Sequence, residues 1–222
     1  MVPQEFPETL SKNNVGIYGK LIPAKGVGGD LYDVFWLDQN TLFFTLGDVS
    51  GKGIPAALFM AKTLTTIRCL APELKDPAAI MNRANKDLHR NNNRFMFVTT
   101  VCGTLNINTG KLLIANAGHL PPLLISRHFE TEYQPLPPKP VLGITANAVY
   151  ENTILLLSPK DKLVLYSDGI TEAFGVDDEM YETERLLEIG KNCTTDNAED
   201  TTNEIIKDVR RFTKGQEQSD DM

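Results

Sequence analysis

The order of strand and helix patterns predicts an α+β chain: a mainly antiparallel framework of strands with helices layered on it. Three observations carry this. Short apolar strand patterns joined by tight turns open the chain, two consecutive amphipathic helices follow, and many further strands precede two closing helices. No internal repeat is present.

The elements follow in order. Val15 to Pro23 reads as an opening strand, and a second begins at Leu31, after Gly28-Gly29-Asp30. Asp38-Gln39-Asn40 makes a turn into a third strand, Thr41 to Gly47. Three strands on short links predict an antiparallel meander. Asp30, at the start of one strand, then lies near Asp48, at the end of its neighbour. Pro55 suits the first turn of a helix from Ile54 to Ala71, with Ala57, Met60, Leu64, Ile67 and Ala71 as its apolar stripe and Pro72 as its stop. Asp76-Pro77 starts a second helix by a side-chain cap and a first-position proline. Ile80, Ala84 and Leu88 form its inner face, and Asn91 to Asn93 end it. Strands are expected at Phe95 to Ile107, Lys111 to Ala117, Leu123 to Ser126, Val149 to Leu157 and Lys162 to Ser167, with Gln134 to Pro140 as a proline-rich loop. A short helix at Glu184 to Ile189 and a longer one at Asp196 to Phe212 close the chain. Glu199 and Asp200 complement the dipole of the longer helix, and Ile205, Val209 and Phe212 share one of its faces.

Composition narrows the function. A chain of 222 residues that is 41% hydrophobic and 23% charged fits a single globular domain. Its net charge of -7 argues against nucleic acid, which selects a basic face, and fits a surface that concentrates divalent cations. The three cysteines are far apart and form no CxxC pair, as expected of buried or incidental thiols in a reducing cytoplasm. No apolar run approaches membrane-spanning length, and no basic segment with an apolar core follows Met1, so a soluble domain without membrane insertion is expected.

Four acidic sites stand apart from the solvated charge on helices and loops: Asp30 in VGGD, Asp48 in GDVSG, Asp168 in LVLYSDG, and Asp220-Asp221 in the closing SDDM. Asp48 follows the buried run Leu42-Phe43-Phe44 and sits among Gly47, Gly51 and Gly53, although Asp before Ser and Gly also makes an ordinary turn. Asp168-Gly169 alone fits a hairpin turn, yet Leu163-Val164-Leu165 before it repeats the pattern of a buried strand delivering an aspartate. Carboxylates gathered at one edge repel one another, and hard divalent cations compensate by taking oxygen ligands. Two cations sharing a carboxylate can hold and orient a water for attack on phosphorus. No Ser–His–acid or Cys–His arrangement competes. His89, His119 and His128 lack metal-ligand spacing, and GKGIPAAL lacks the spacing of a phosphate-binding P-loop.

VGGDLYDVF, GDVSGKGIPAALFMA, NAGHLPP and LVLYSDGITEAF, in this order and covering about Pro23 to Asp221, resemble the SpoIIE/RsbU-type serine phosphatases of the protein phosphatase 2C-like (PPM) superfamily. The resemblance implies two packed, mainly antiparallel sheets flanked by helices. It also implies a site with two divalent cations, Mn²⁺ or Mg²⁺. Carried over by motif, Asp48 bridges both metals, the Val49 carbonyl is a further ligand, Asp30 supports the first metal, and Asp168 and Asp220 bind the second. Glu172, Asp221 and Lys52 are expected to support these ligands or, for Lys52, to attract phosphate. The implied activity is hydrolysis of phosphoserine or phosphothreonine on a regulatory protein, such as an anti-sigma-factor antagonist, by hydroxide held on the metals and without a phosphoenzyme. An upstream sensor in a longer parent protein and a homodimer through helices 54–71 and 76–91, acting as a switch, are also implied.

Two features depart from the family pattern. The chain ends at Met222, where the family's Asp-Asp-x-Thr continues, so a domain truncated before its last strand is expected. Ser50 stands where the wider superfamily often carries a histidine as general acid, and the proton donor stays unassigned. The alternative function is a catalytically silent module of the same fold that binds partners. His119 is expected to hydrogen-bond a turn between strands.

Overall fold

The computed structural model describes residues 15–24, 28–90 and 92–222, and among them the chain forms eight strands and five helices. Contacts divide it into two compact units. One comprises Val27–His119 and Leu136–Leu157; the other comprises Leu120–Pro135 and Ser158–Met222 together with residues 15–24.

The first unit carries the five-stranded sheet β1-β2-β3-β4-β7, antiparallel throughout: β1 Leu31–Trp36, β2 Thr41–Val49, β3 Val98–Asn106, β4 Lys111–Ala117 and β7 Thr153–Leu156. The β1–β2 register sets Leu31 opposite Gly47, so Asp30 and Asp48 flank one end of this hairpin, as the sequence predicts. Helices α1 (Ile54–Leu74) and α2 (Pro77–His89) cover one face. Phe43, Val98, Cys102 and Ala115 of the sheet meet Phe59, Leu64, Ile67, Ile80, Met81, Ala84 and Leu88 of the helices, all within 8% of full burial. Each large side chain so buried contributes roughly 1.5–3 kcal/mol.

α2 begins as predicted: Asp76 accepts a hydrogen bond from the Ala79 amide at 2.8 Å, with Pro77 in the first turn. It ends at His89, and Asn91 of the expected terminus lies outside the described residues. α1 departs from expectation in two ways. It runs through Pro72 to Leu74, because a proline this close to the end removes one hydrogen bond and the helix then closes on the left-handed Lys75, whose amide donates to Ala71 O at 3.0 Å. Its buried stripe starts at Ala56 and Phe59, leaving Ala57 and Met60 half-buried, since two adjacent registers fit the same 3.6-residue period. At 21 residues and a mean hydropathy of 1.3 over its best window, α1 is also long and apolar enough to span a membrane by length and composition. The expectation of no such segment is corrected. Lys62, Thr63, Thr66 and Arg68 interrupt the run in sequence without lowering its average enough.

The second unit holds the three-stranded sheet β6-β5-β8 (β6 Thr131–Tyr133, β5 Leu123–Ile125, β8 Lys162–Val164), with helices α3 (Asp168–Thr171), α4 (Glu182–Asn192) and α5 (Ala198–Thr213). Its core gathers Leu123, Ile125, Tyr166, Ile170, Tyr181, Leu186, Ile205 and Val209. Asn197 caps α5 by accepting from the Glu199 amide at 2.7 Å, and Ile205 and Val209 are buried as predicted. Three expectations fail here. Residues 15–23 form no strand; Ile22 exchanges backbone bonds of 2.6 and 3.0 Å with Met222, and its carbonyl also accepts from Gln218 Nε2 at 2.7 Å. The meander therefore loses its first member. β8 stops at Val164 because the chain turns into α3, and β6 escaped prediction because Thr131-Glu132-Tyr133 carries no apolar run to mark it.

Candidate active site

β2 delivers Asp48 and Val49 at its end, and the loop at Gly29 returns beside them. A Cβ placed on Gly29 would stand 2.8 Å from the Val49 carbonyl oxygen and 3.1 Å from Asp48 Oδ1. Two of the predicted ligand oxygens thus lie beside one backbone position, and glycine there keeps a side chain off them. Asp30 follows directly and is buried, with 7% exposure. The strand end is held from behind by threonines of β3. Thr100 Oγ1 donates to Leu46 O at 2.8 Å, Thr99 Oγ1 reaches Asp48 O at 3.5 Å, and Thr99 Oγ1 also pairs with His119 Nδ1 at 3.0 Å. His119 closes its own turn, donating from its amide to Asn116 Oδ1 at 2.8 Å and accepting from Asn116 Nδ2 at 3.0 Å. Thr99 and His119 are thus structural neighbours of Asp48. The Thr99-Thr100 doublet was the signal available in the sequence.

Ser50 joins two loops. Its amide donates to Phe97 O at 2.9 Å, and its hydroxyl accepts from the Phe97 amide at 3.0 Å. Lys52 sits exposed in the loop that follows.

In the second unit Asp168 is the first residue of α3, not part of a hairpin, and its carbonyl accepts from the Glu172 amide at 2.7 Å. Glu172 itself is exposed. The terminal segment lies directly on the next residue: a Cβ at Gly169 would collide with the Asp221 carbonyl and stand 3.3 Å from the Asp220 carbonyl carbon. Asp221 secures the segment. Its Oδ1 accepts from the Ala24 amide at 2.9 Å, its carbonyl accepts from Ser167 Oγ at 3.2 Å, and its amide donates to Asp220 Oδ1 at 3.0 Å. Asp221 is 4% exposed and acts as the latch, while Asp220 is only half-buried. Behind Asp168, burial raises the Tyr166 phenol far above its ordinary range, with Tyr133 adding to the shift.

Asp30, Asp48 and Val49 are therefore neighbours within one unit, and Asp168, Asp220 and Asp221 within the other. Among the described residues no three His, Cys, Asp or Glu side chains cluster as a metal site by themselves. The donors offered are carboxylate and carbonyl oxygens, the chemistry that hard divalent cations take.

The profile of the family described as stage II sporulation protein E (SpoIIE) matches residues 38–222. The chain belongs to the SpoIIE family. The match takes in GDVSGKGIPAALFMA, NAGHLPP and LVLYSDGITEAF and begins after Asp30. Within reach of this SpoIIE-family chain is the phosphoserine phosphatase RsbU of Bacillus subtilis (strain 168), 32% identical over 171 residues that cover 77% of this chain and 49% of RsbU. The chain thus spans about half the length of that relative. Among solved structures, the SiaA-PP2C domain of Pseudomonas aeruginosa superposes with a TM-score of 0.79 at 18% identity, over 90% of this chain and 81% of that one. RsbX in complex with magnesium superposes with a TM-score of 0.66 at 18% identity, over 90% and 88%. The SpoIIE-family chain has the PP2C-like α+β fold expected from its motifs.

Proposed function

We propose that this chain is a metal-dependent protein phosphatase that hydrolyses phosphoserine or phosphothreonine on a regulatory protein. The observation that carries the reading is the grouping of Asp48 Oδ1 and the Val49 carbonyl beside Gly29, next to Asp30, in a family whose relative RsbU is named a phosphoserine phosphatase. Asp30, Asp48 and the Val49 carbonyl would hold divalent cation in the first unit, and Asp168 and Asp220 in the second, with Mn²⁺ or Mg²⁺ as the ion. Such ions, when bound, activate water and neutralise charge on phosphorus. The chain's own residues hold the oxygens in place: Thr99 and Thr100 brace the end of β2, and Asp221 ties down the segment that carries Asp220. Lys52, exposed beside Ser50, offers a cation to an approaching phosphate.

The length of RsbU beyond the matched stretch supports the expectation of a sensor elsewhere in a parent protein. α1 starts five residues after Val49, so the helix pair α1–α2 is our candidate for a switch or dimer contact acting on Asp48. The test is Mn²⁺- or Mg²⁺-dependent hydrolysis of p-nitrophenyl phosphate by the whole chain, with Asp48→Ala and Asp168→Ala inactive. Full activity in both variants defeats the assignment. Calorimetry showing no aspartate-dependent metal binding would leave a catalytically silent module.

A further inference from the structure

Asn82 and Asn85 of α2, and Asn92 just beyond its end, recur at helical spacing beside the apolar stripe of Ile80, Ala84 and Leu88. Asparagine is a poor helix former because its side chain competes for backbone groups. Here each side-chain amide serves as a peptide unit for another segment. Asn85 Oδ1 accepts from the Gly143 amide and its Nδ2 donates to Thr145 O, both at 2.9 Å. Asn82 Oδ1 accepts from the Tyr150 amide and its Nδ2 donates to Tyr150 O, both at 3.0 Å. Asn92 clamps Met96 in the same way. Its Oδ1 accepts from the Met96 amide at 3.0 Å, and its Nδ2 donates to Met96 O at 2.6 Å and to Gly143 O at 3.0 Å.

The Asn92 clamp differs from the others in where it leads. Asn92 holds both backbone polar groups of Met96, and Ser50 holds both of the next residue: the Ser50 amide donates to Phe97 O at 2.9 Å, and Ser50 Oγ accepts from the Phe97 amide at 3.0 Å. Val98 follows, paired with Val49 in the β2–β3 register and bonded on its other side to Leu142 at 3.2 and 3.0 Å. A Cβ on Gly51 would stand 4.0 Å from the Met96 Cε. The path from Asn92 to Ser50 thus crosses two adjacent residues, and Ser50 directly follows Val49, whose carbonyl is a predicted ligand. All of these residues belong to the first unit. An asparagine that only closed the loop after α2 would leave Val49 indifferent to it. Met96 and Phe97 share a peptide bond, so a displaced Met96 displaces the partner of Ser50. Removing the Asn92 amide strips both backbone groups of a half-buried residue of their partner.

Resting on the reading that Asp48 and the Val49 carbonyl hold a divalent cation, we propose that Asn92 is a positioning residue for that carbonyl. It fixes Met96 and Phe97, which fix Ser50 and so aim Val49. The end of α2 thereby sets cation affinity without touching the ion.

The experiment titrates Mn²⁺ alone into the whole chain by calorimetry, alongside urea midpoints and Mn²⁺-dependent hydrolysis of p-nitrophenyl phosphate. Asn92→Ala is compared with Asn82→Ala, which removes an equivalent clamp: none of the bonds of Asn82 or Tyr150 among the described residues reaches residues 48–51. Both variants should lose similar stability. Only Asn92→Ala should weaken Mn²⁺ binding and raise the half-saturating Mn²⁺ concentration, each by about tenfold, within the range over which supporting contacts tune metal sites. Ser50→Ala cuts the same path from the β2 side and decides the case if Asn92→Ala does not fold. The double variant Asn92→Ala/Ser50→Ala should bind no more weakly than the weaker single variant, because both break one path. Unchanged Mn²⁺ affinity in Asn92→Ala, or in Ser50→Ala where it alone folds, overturns the proposal. So does an equal loss in Asn82→Ala, or a double-variant loss equal to the product of the two single losses. Mn²⁺ binding without hydrolysis by the unsubstituted chain overturns the phosphatase reading alone, since the calorimetric comparison still decides the role of Asn92. No Mn²⁺ binding by the unsubstituted chain overturns both.

Discussion

Arg68 on α1 reaches across to Asp33 on β1 and pairs with its Oδ2 by Nη1, while the Asp33 side chain is only 2% exposed and the Arg68 side chain is 57% exposed. The guanidinium also lies 4.8 Å from the centre of the Phe35 ring. Asp33 Oδ1 is buried without a hydrogen-bond partner among the described residues. One half-exposed cation therefore compensates a buried carboxylate three positions from Asp30. Arg68→Ala is expected to destabilise the chain by about 2 kcal/mol, below the 3–5 kcal/mol of a fully buried pair because water reaches the arginine side. Urea unfolding of Arg68→Ala, Asp33→Leu and the double variant Arg68→Met/Asp33→Leu checks this. The double variant should recover most of the loss, and equal midpoints in all variants would refute the coupling.

Gly29 and Gly169 each occupy a point that a methyl group would contest. Gly29→Ala places carbon against Asp48 Oδ1 and the Val49 carbonyl, and Gly169→Ala drives the Asp221 carbonyl and its segment away. Both variants should raise the Mn²⁺ concentration for half-maximal hydrolysis of p-nitrophenyl phosphate by roughly 10–100-fold, the scale on which supporting contacts tune metal sites. Far-ultraviolet circular dichroism should stay unchanged. A metal titration superimposable on that of the unsubstituted chain would count against the predicted ligands.

The three thiols should differ in reactivity. Burial pushes Cys102 up to about 12, and burial raises Cys193 with Glu204 contributing, whereas Cys69 is exposed. Thiolate is the reactive form. Iodoacetamide at about pH 8 is expected to modify Cys69 alone in the folded chain and all three thiols after denaturation, read by intact mass. Rapid labelling of Cys102 in the folded chain would contradict the packing of β2 on β3.

Tyr150 gives the fold an alkaline limit. Its residue is 2% exposed, its hydroxyl donates to Pro140 O at 3.0 Å and Val141 O at 3.3 Å, and burial pushes the phenol up to about 12. An unfolded tyrosine ionises near about 10, so this contribution to stability is whole below that pH and is lost as pH rises towards the folded value. Tyr150→Phe should cost about 1 kcal/mol at neutral pH through the lost hydrogen bonds. It should also flatten part of the fall in urea midpoint above about pH 10. A variant with an unchanged alkaline slope would show that Tyr150 is not the group responsible.

The amino-acid order alone determined the α+β class, the Asp76 cap, the buried faces of α2 and α5, and the adjacency of Asp30 and Asp48. Each rests on short-range rules: a period of 3.6, a cap three residues from its amide, and an antiparallel hairpin that sets one strand's start beside the other's end. The motifs also identified the family and its fold. Tertiary structure alone decided what depends on distant approach. It bonded residues near Ile22 to the terminus instead of to β1, carried α1 through Pro72, set Thr99 and His119 behind Asp48, and seated Asp220-Asp221 on Gly169. Sequence periodicity reports which face of an element is apolar. It does not report which other element, many residues away, will fill that face or close on that turn.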